Sequence, residues 1–498
     1  MNYLGIDIGT SGCKAVVFDR RGNKLISASR EYNVLFSPDG GAELDSDKVI
    51  QNCFAVIKEC ASGVAARSVR GLGISSQGEA FTAIGPDGES LCNALISSDV
   101  RALPHAKSWP LTFGEEKLYW ITGHTAHPMF TLFKLLWLKD RRPGIWRRAR
   151  KFLCFEDLLQ FRLGLEPAIG WPLAGRTMMF DVSRHDWHGE ILDAVGLSPD
   201  QLAIPRPSGS VVGEINQGIA RDLGLSPGTF VVAGGHDQTC GALGAGVTQP
   251  GVAMYATGSV ECITAAFDQP IFSRELQDNN LCTYDYTVHD MYATIAYSLT
   301  GGNILKWFRD QFGMHEMAEA ARTGGNAYEM LLKGMAHKPS GLLVLPYFTP
   351  SGTPYFDAST KGAIFGLQLS TSRGEFIRAL LEGVAFEMRL NIEILNQSGY
   401  TINQLRLIGG GAKSAAWTQL KADVTGKKMT TLNVQQAGCL GMAMLACAAD
   451  TGIAVWELAQ DWVQPLDEVY PIDENRHYYD RRYSVYRDLY SHVRQIVL

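Results

Sequence analysis

An α/β protein in two halves is the fold the sequence predicts, on three observations. Apolar runs with the pattern of strands are interleaved with helical ones. At 498 residues, 46% of them hydrophobic, the chain exceeds what one core usually holds. A strand, a glycine-hydroxyl turn and a second strand open each half.

The first such device is YLGIDIGTSGCKAVVFD, residues 3–19. Tyr3, Leu4, Ile6 and Ile8 before the turn, and Ala15, Val16, Val17 and Phe18 after it, read as paired strands joined tightly through Gly9 and Gly12. Asp7 stands inside the first strand. A buried carboxylate must be paired, hydrogen-bonded or set beside a metal ion, and the turn after it can aim backbone N–H groups at an anion. Asp7 reads either as a cap on the turn or as part of a phosphate and Mg²⁺ site.

Further along, VRGLGISSQGEA (from Val69) reads as a strand running into a loop, and MFTLFKLLWLKD (from Met129) as an amphipathic helix. GTFVVAGGHDQTCGALGAG, ending at Gly246, reads as a strand, a turn and a Gly/Ala-rich helix. The Gln249-Pro250-Gly251 turn marks the boundary between a first domain, 1–246, and a second, 247–498. Gly9–Phe18 and Gly258–Phe267 share Gly, Cys and Phe at matching offsets, three of ten positions, with a small hydroxyl residue after each Gly. Two domains opening this way could face each other and grip a polyphosphate between their turns. A third turn, Gly409-Gly410-Gly411, follows the strand Leu405–Ile408 and leads into a helix near Lys413, bare backbone that a base or phosphate can approach. The chain has no GxxxxGK[ST] and no strand followed by GxGxxG with a downstream acid, so neither a P-loop nor a dinucleotide fingerprint is present.

Asp237 ends an apolar strand just before the glycine-rich helix. It reads as an N-cap or as a general base. Phosphoryl transfer to an alcohol asks a protein for positioning, charge neutralisation and one carboxylate to take the hydroxyl proton. Asp7 near a metal, two Gly-hydroxyl turns on the phosphates and Asp237 on the acceptor would make that set.

The remaining composition narrows the class. A net charge of −6 gives no general reason to bind nucleic acid or anionic lipid, and the basic stretch Arg141–Lys151 reads as a solvated helix-and-turn face. Ten cysteines without CxxC spacing read as reduced, mostly buried thiols. With no signal peptide and no apolar run long enough for a bilayer, a cytoplasmic location is expected. The pairs His124/His127 and His185/His188 lack a nearby acid or cysteine at ligand spacing and read as structural.

The motifs together resemble the FGGY carbohydrate kinases. Met129, Thr131, Lys134, Leu135, Trp137, Leu138 and Asp140 match one family signature, with Arg141 in place of a usual amide or acid, and Gly362 to Glu382 match the second, with Leu380 at a position usually smaller or β-branched. GGNILKWFRDQFG and IGGGAKSAAW are similar to the family's ATP-side segments. The resemblance implies two actin-like (ribonuclease-H-type) domains with an active-site cleft between them, an ATP-dependent sugar kinase, and Mg²⁺. Residue by residue, it implies metal binding by Asp7 and Asp237, and phosphate contacts from Thr10, Ser11, Gly12 and Lys14 on one side and Thr257, Gly258 and Gly302 on the other. It implies an adenine wall of Gly410, Gly411 and Ala412, with Asp237 as catalytic base.

For the acceptor, the same resemblance implies contacts from Gln77, Gly78, Glu79, Asp99, Asp237 and Gln238. LYWITGHTAHPMFTLFKLLW looks most like xylulokinases, although that subfamily usually has Gln-Met-His-Gly where this chain has Gln77-Gly78-Glu79-Ala80. Glu79, Gln238 and AGRTMMF lean towards glycerol kinases, which have Arg at the position of Gly78 and an aromatic at that of Met129. Gly78 is expected to leave room for an acceptor longer than glycerol, which favours a ketopentose such as xylulose. The alternatives are a glycerol or other polyol kinase of the family, or a non-catalytic actin-like ATP or sugar sensor. Small-molecule partners are expected, without nucleic acid or membrane, and a homodimer is allowed.

Overall fold

The computed structural model describes residues 1–65 and 67–497. Its framework is two twisted sheets. The first contains β1 (Asn2–Ile8), β2 (Gly12–Asp19), β3 (Lys24–Glu31), β4 (Val69–Ser76), β5 (Val211–Glu214) and β6 (Phe230–His236), in the order β5-β6-β4-β1-β2-β3. The second contains β7 (Val252–Thr257), β8 (Glu261–Phe267), β9 (Tyr284–Asp285), β10 (Tyr292–Ser298), β11 (Gln404–Ile408), β12 (Lys428–Leu432) and β13 (Pro465–Val469), in the order β9-β10-β8-β7-β11-β12-β13.

The two sheets share one plan. β3-β2-β1-β4-β6 and β10-β8-β7-β11-β12 both have two antiparallel pairings followed by two parallel ones. The three-in-ten match falls on equivalent strands, β2 and β8, each preceded by a turn closed by its own glycine: Gly9 N–H donates to Gly12 O at 2.9 Å, and Gly258 N–H to Val260 O at 3.0 Å. Ile8 pairs with Cys13 and Asp7 with Lys14 across the first hairpin, whose strands are buried on both faces.

Helices cover the sheets. In α1 (Ser46–Ser62), Val49, Ile50, Cys53, Val56, Ile57 and Cys60 form a buried stripe at helical spacing, and Asp45 caps the start by accepting Lys48 N–H. The segment expected to be amphipathic is α2 (Thr131–Arg141), but every residue from Thr131 to Leu138 is buried, Lys134 included. Neighbouring elements enclose it on all sides, so its polar positions report internal hydrogen bonds rather than a wet face. α3 (Asp237–Gly244) follows β6 directly, without the expected turn. The second sheet carries α4 (Gly302–Phe312), α5 (Arg373–Gln397) and α6 (Ala415–Thr425).

α7 (Ala437–Thr451) belongs to the second half in sequence but lies on β1, β4 and α3 of the first. A third apolar cluster results, joining Tyr3, Phe18 and Val232 to Met254, Leu440 and Met442. The approach is backbone to backbone: a Cβ at Gly5 would stand 1.8 Å from Cys439 O, and one at Gly244 would stand 1.8 Å from Ala437 O. All ten cysteines are free, and nine are buried. Among the described residues no helix is long and apolar enough to cross a membrane.

This packing separates two glycines that helix propensity alone would treat alike. Gly244→Ala should lower unfolding free energy by about 1–3 kcal/mol, because overpacking outweighs the gain in propensity. Gly144, in an outer helix with nothing within 4 Å of its Cβ position, should gain up to about 1 kcal/mol on Gly144→Ala. Denaturant midpoints of both variants against the parent check the opposite signs.

Candidate active site

Two lone carboxylates lie near enough for the charge of one, Asp7, to act on the other, Asp237. Asp7, the next-to-last residue of β1, accepts a hydrogen bond from Ser75 Oγ at 2.7 Å. Burial raises its pKa, against the Ser75 bond and the charge of Lys14. The first turn of α7 presses on it, since a Cβ at Gly438 would stand 3.3 Å from Asp7 Cγ. That turn aims unpaired N–H groups and a positive dipole end toward the acid's surroundings. Asp237, the first residue of α3, is pushed up to about 7 by burial, then by the charges of Asp7 and Glu79, with Gln238 pulling the other way. The buried Oε1 of Gln238 has no hydrogen-bond partner. A polar atom left that way aims at something the chain itself does not supply.

Around Asp237 stands a buried polar group that sequence reasoning only half found. Glu79 holds a left-handed backbone, φ 63°, and accepts Arg176 Nε at 2.6 Å. Both side chains are buried, at 3% and 8% exposure, so the pair is a matched charge in a low-dielectric setting. Arg176 lies within AGRTMMF, yet nothing local marks it: its partner is 97 residues away. His236 lies 3.3 Å from Asp237 Oδ1 and 3.1 Å from the Tyr284 hydroxyl of the second sheet. Burial, with Arg176 nearby, drives His236 and His124 well below the usual imidazole range, so both are neutral.

On the other side, a cavity of about 960 Å³ opens beside the second sheet, lined by Thr257, Gly258, Gly302, Gly410, Gly411 and Trp417 among others. Its size suits a nucleotide-sized ligand. Gly302 N–H donates to Gly258 O at 2.9 Å, and a Cβ at Gly302 would stand 2.5 Å from that same oxygen, so α4 can start against the turn only through glycine. Beneath the turn lies a buried pair unseen in the sequence: Lys421 Nζ is 2.7 Å from Glu261 Oε1 and also bonds the Thr257 hydroxyl. Lys421 lies over the Tyr255 and Trp417 rings as well.

Most predicted positions fall in these two groups. Thr10 Oγ1 donates to Gln77 Oε1 at 3.0 Å, tying the first turn, with its neighbours Ser11 and Gly12, to the acceptor segment. Lys14 donates to Gln436 Oε1 at 2.9 Å, just before α7. Four expectations need correction. Asp99 is wholly buried and both its oxygens are taken by Arg101 and the Ala42 N–H, so its carboxylate is spent on the chain itself and offers no free oxygen to a ligand. Gly78 leaves no empty room, because the His236 ring lies 2.9 Å from where its Cβ would be. Ala412 does not line the cavity but packs against the second core. His185 has an acid after all, Asp285 Oδ1 at 3.1 Å, supplied from the other half of the chain.

Comparison with known proteins gives the same architecture. The N-terminal domain of the FGGY family of carbohydrate kinases matches residues 2–244, and the C-terminal domain of that family matches residues 259–449. Xylulose kinase of Bacillus subtilis (strain 168) is 27% identical over 503 residues, 100% of this chain and 98% of the relative. Gluconokinase of the same organism is 26% identical over 478 residues, 95% of this chain and 92% of the relative. The crystal structure of ligand-bound xylulose kinase from Lactobacillus acidophilus superposes with a TM-score of 0.90 at 22% identity, covering 99% of this chain and 98% of that one. The last likeness fixes the fold, the two-domain actin-like architecture.

The Glu79–Arg176 pair can be tested without any ligand. Arg176→Met strands a buried carboxylate and should cost about 3–5 kcal/mol of stability, while the double variant with Glu79→Gln should recover much of it. A double-mutant cycle by denaturant unfolding measures this; additive losses would show that the two side chains do not act as a pair.

Proposed function

The chain belongs to the FGGY family of carbohydrate kinases, and from that premise we propose that it transfers the γ-phosphate of ATP to a terminal hydroxyl of a ketopentose, with xylulose the first candidate. One observation carries the chemistry: Asp237 opens α3 directly after β6, 3.3 Å from His236 and near enough to Asp7 and Glu79 for their charges to act on it, and its carboxyl is pushed up to about 7. A carboxylate poised near working pH is suited to take a hydroxyl proton. The full-length kinship with several xylulose kinases supports the acceptor.

In this reading the glycine-lined cavity receives the nucleotide, with Gly410 and Gly411 beside the base and Thr257, Gly258 and Gly302 beside the phosphates. The Thr10 turn and Lys14 approach the phosphates from the opposite sheet. Among the described residues no group of three or more His, Cys, Asp or Glu side chains could hold a metal alone. A Mg²⁺ that keeps water and phosphate oxygens in most positions needs only one or two carboxylates, and Asp7, with Asp237 near it, fits that requirement. Such an ion would neutralise charge on the phosphates.

Gln77, Glu79 and Gln238 would hold the acceptor while Asp237 removes its proton. The only cation among Gln77, Glu79, Arg176, His236, Asp237 and Gln238 is Arg176, and Glu79 already matches it. A carboxylate-bearing aldonate would find no free positive charge there, which favours a neutral sugar over gluconate. His236 filling the space beside Gly78 shortens the pocket at that wall, so length alone does not choose between xylulose and glycerol.

Two measurements test the reading. In a panel of xylulose, ribulose, glycerol and gluconate assayed for ADP release, kcat/KM should be highest for a ketopentose and lowest for gluconate. Best turnover on glycerol or gluconate would overturn the acceptor, and no ADP with any of them would favour a sensor. Separately, kcat/KM for the sugar should rise with pH through about 7, because the base acts only when deprotonated. Asp237→Asn should cut kcat by roughly 10²–10⁴ with sugar binding retained. Near-normal turnover of that variant would remove the base.

A further inference from the structure

Glu156 is a buried carboxyl with no cation bonded to it among the described residues. It sits in the helix Phe155–Arg162, fully enclosed. Its Oε1 accepts the N–H of Gly234 at 2.7 Å, and the N–H of Gly170 is shared between the two oxygens at 3.3 and 3.2 Å. Gln160 Nε2 adds a long contact at 3.4 Å. Burial pushes the group up to about 8, with the Gly234 and Gly170 bonds opposing.

Both backbone partners lie on segments that lead to the acceptor group. Gly234 falls where β6 slips against β4: Val232 pairs with Gly73, and the next pair is Gly235 with Ser75. One extra residue on β6 is a bulge, which leaves a ladder donor unpaired and re-aims the end of the strand. That end carries His236 and delivers Asp237 directly after it. Gly170 ends the short strand Ala168–Gly170 and starts the helix Trp171–Gly175, which delivers Arg176. The two glycines touch each other, since a Cβ at Gly170 would stand 2.2 Å from Gly234 O, and a Cβ at Gly234 would stand 1.7 Å from Ile74 O. Ser208 Oγ satisfies Gly234 O at 2.6 Å. The carboxyl of Glu156 is what satisfies the Gly234 N–H at this crossing.

We propose that Glu156 is a positioning residue for phosphoryl transfer, holding the bulge that aims Asp237 and the backbone that delivers Arg176. It works as a hydrogen-bond acceptor of fixed reach. The proposal rests on Asp237 being the base. Gln keeps the acceptor oxygen and the reach, whereas Asp keeps the carboxylate but is one methylene too short. Glu156→Gln should therefore keep kcat within about 3-fold, and Glu156→Asp and Glu156→Ala should lower it at least 10-fold and displace the acid limb of kcat/KM, with KM for ATP unchanged.

The experiment measures kcat, both KM values and the pH profile for these three variants, alone and combined with Asp237→Asn, with circular dichroism verifying the fold. If Ala fails to fold, the comparison of Gln with Asp decides. In the Asp237→Asn background the Asp and Ala substitutions should each cost less than about 2-fold more. Full kcat in Glu156→Asp, equal losses in Gln and Asp, or equal losses in both backgrounds would overturn the role of Glu156 alone. Full activity of Asp237→Asn by itself would overturn the base, and this proposal with it.

Discussion

The closeness of α7 to the first sheet is the constraint on which the site depends. Gly5 meets Cys439, Gly73 meets Met442 and Gly244 meets Ala437, in each case near enough that a Cβ would collide with backbone or Cβ atoms. Contacts of that kind exclude water and leave the elements only one way to sit. Since Asp7 rides on β1, Asp237 on α3 and Gly438 on α7 itself, the relation between the two acids is set by this packing and not by any bond between them. The chain crosses back late in its sequence to make the wall, so the second half is not a separate body hung on the first.

The two sheets use the same plan and distribute charge differently. In the second, Glu261 and Lys421 face each other, both essentially unexposed, and Tyr255 and Thr257 complete their hydrogen bonds. The result is a neutral brace under the glycine turn. In the first, Lys14 stands across from Asp7 in the hairpin but bonds Gln436, and among the described residues Asp7's side chain has the Ser75 hydroxyl alone as a hydrogen-bond partner. One half thus closes its polar residues on themselves while the other leaves an acid short of partners. The proposed phosphoryl transfer would use both: a rigid cradle for the nucleotide, and carboxylate charge free for a metal ion and a proton.

Local signals were readable in the sequence. The strands of the first hairpin, the strand ending at Asp237 and the glycine turns all announce themselves through period and turn chemistry, and the repeat at Gly9 and Gly258 marks the same device in both sheets. Errors came where a neighbour is remote. Asp99 has the residue type and vicinity of a ligand, but Arg101, which stacks at 4.1 Å on the Trp137 ring, consumes it. Gly78 suggests a vacancy only until His236, on another strand, is set beside it. α2 has polar positions that pattern alone assigns to solvent, and Lys134 instead donates to Leu95 O deep in the core. Arg176, Lys421 and Glu156 act through partners tens to more than a hundred residues away, a distance at which sequence spacing carries no signal.

Acceptor choice in such a scaffold comes down to few atoms. Relatives named for xylulose, gluconate and autoinducer-2 share about the same low identity with this chain, so the backbone plan tolerates very different acceptors. The wall beside Gly78 shows how that is possible. Its volume is filled by His236, the last residue of β6 and the one just before Asp237, so the pocket's shape and the surroundings of Asp237 are set by one residue. Enlarging residue 78 would push that ring toward Asp237 or Tyr284, and replacing the ring would open the pocket while removing the contact to Asp237. Glu79 and Arg176 impose a similar coupling in charge, because neither can change alone without leaving the other buried and unmatched. A change of acceptor on this fold would therefore need paired substitutions just beyond β4, on β6 and just beyond the Trp171–Gly175 helix, segments whose backbones cross closely at Ile74, Gly234 and Gly170.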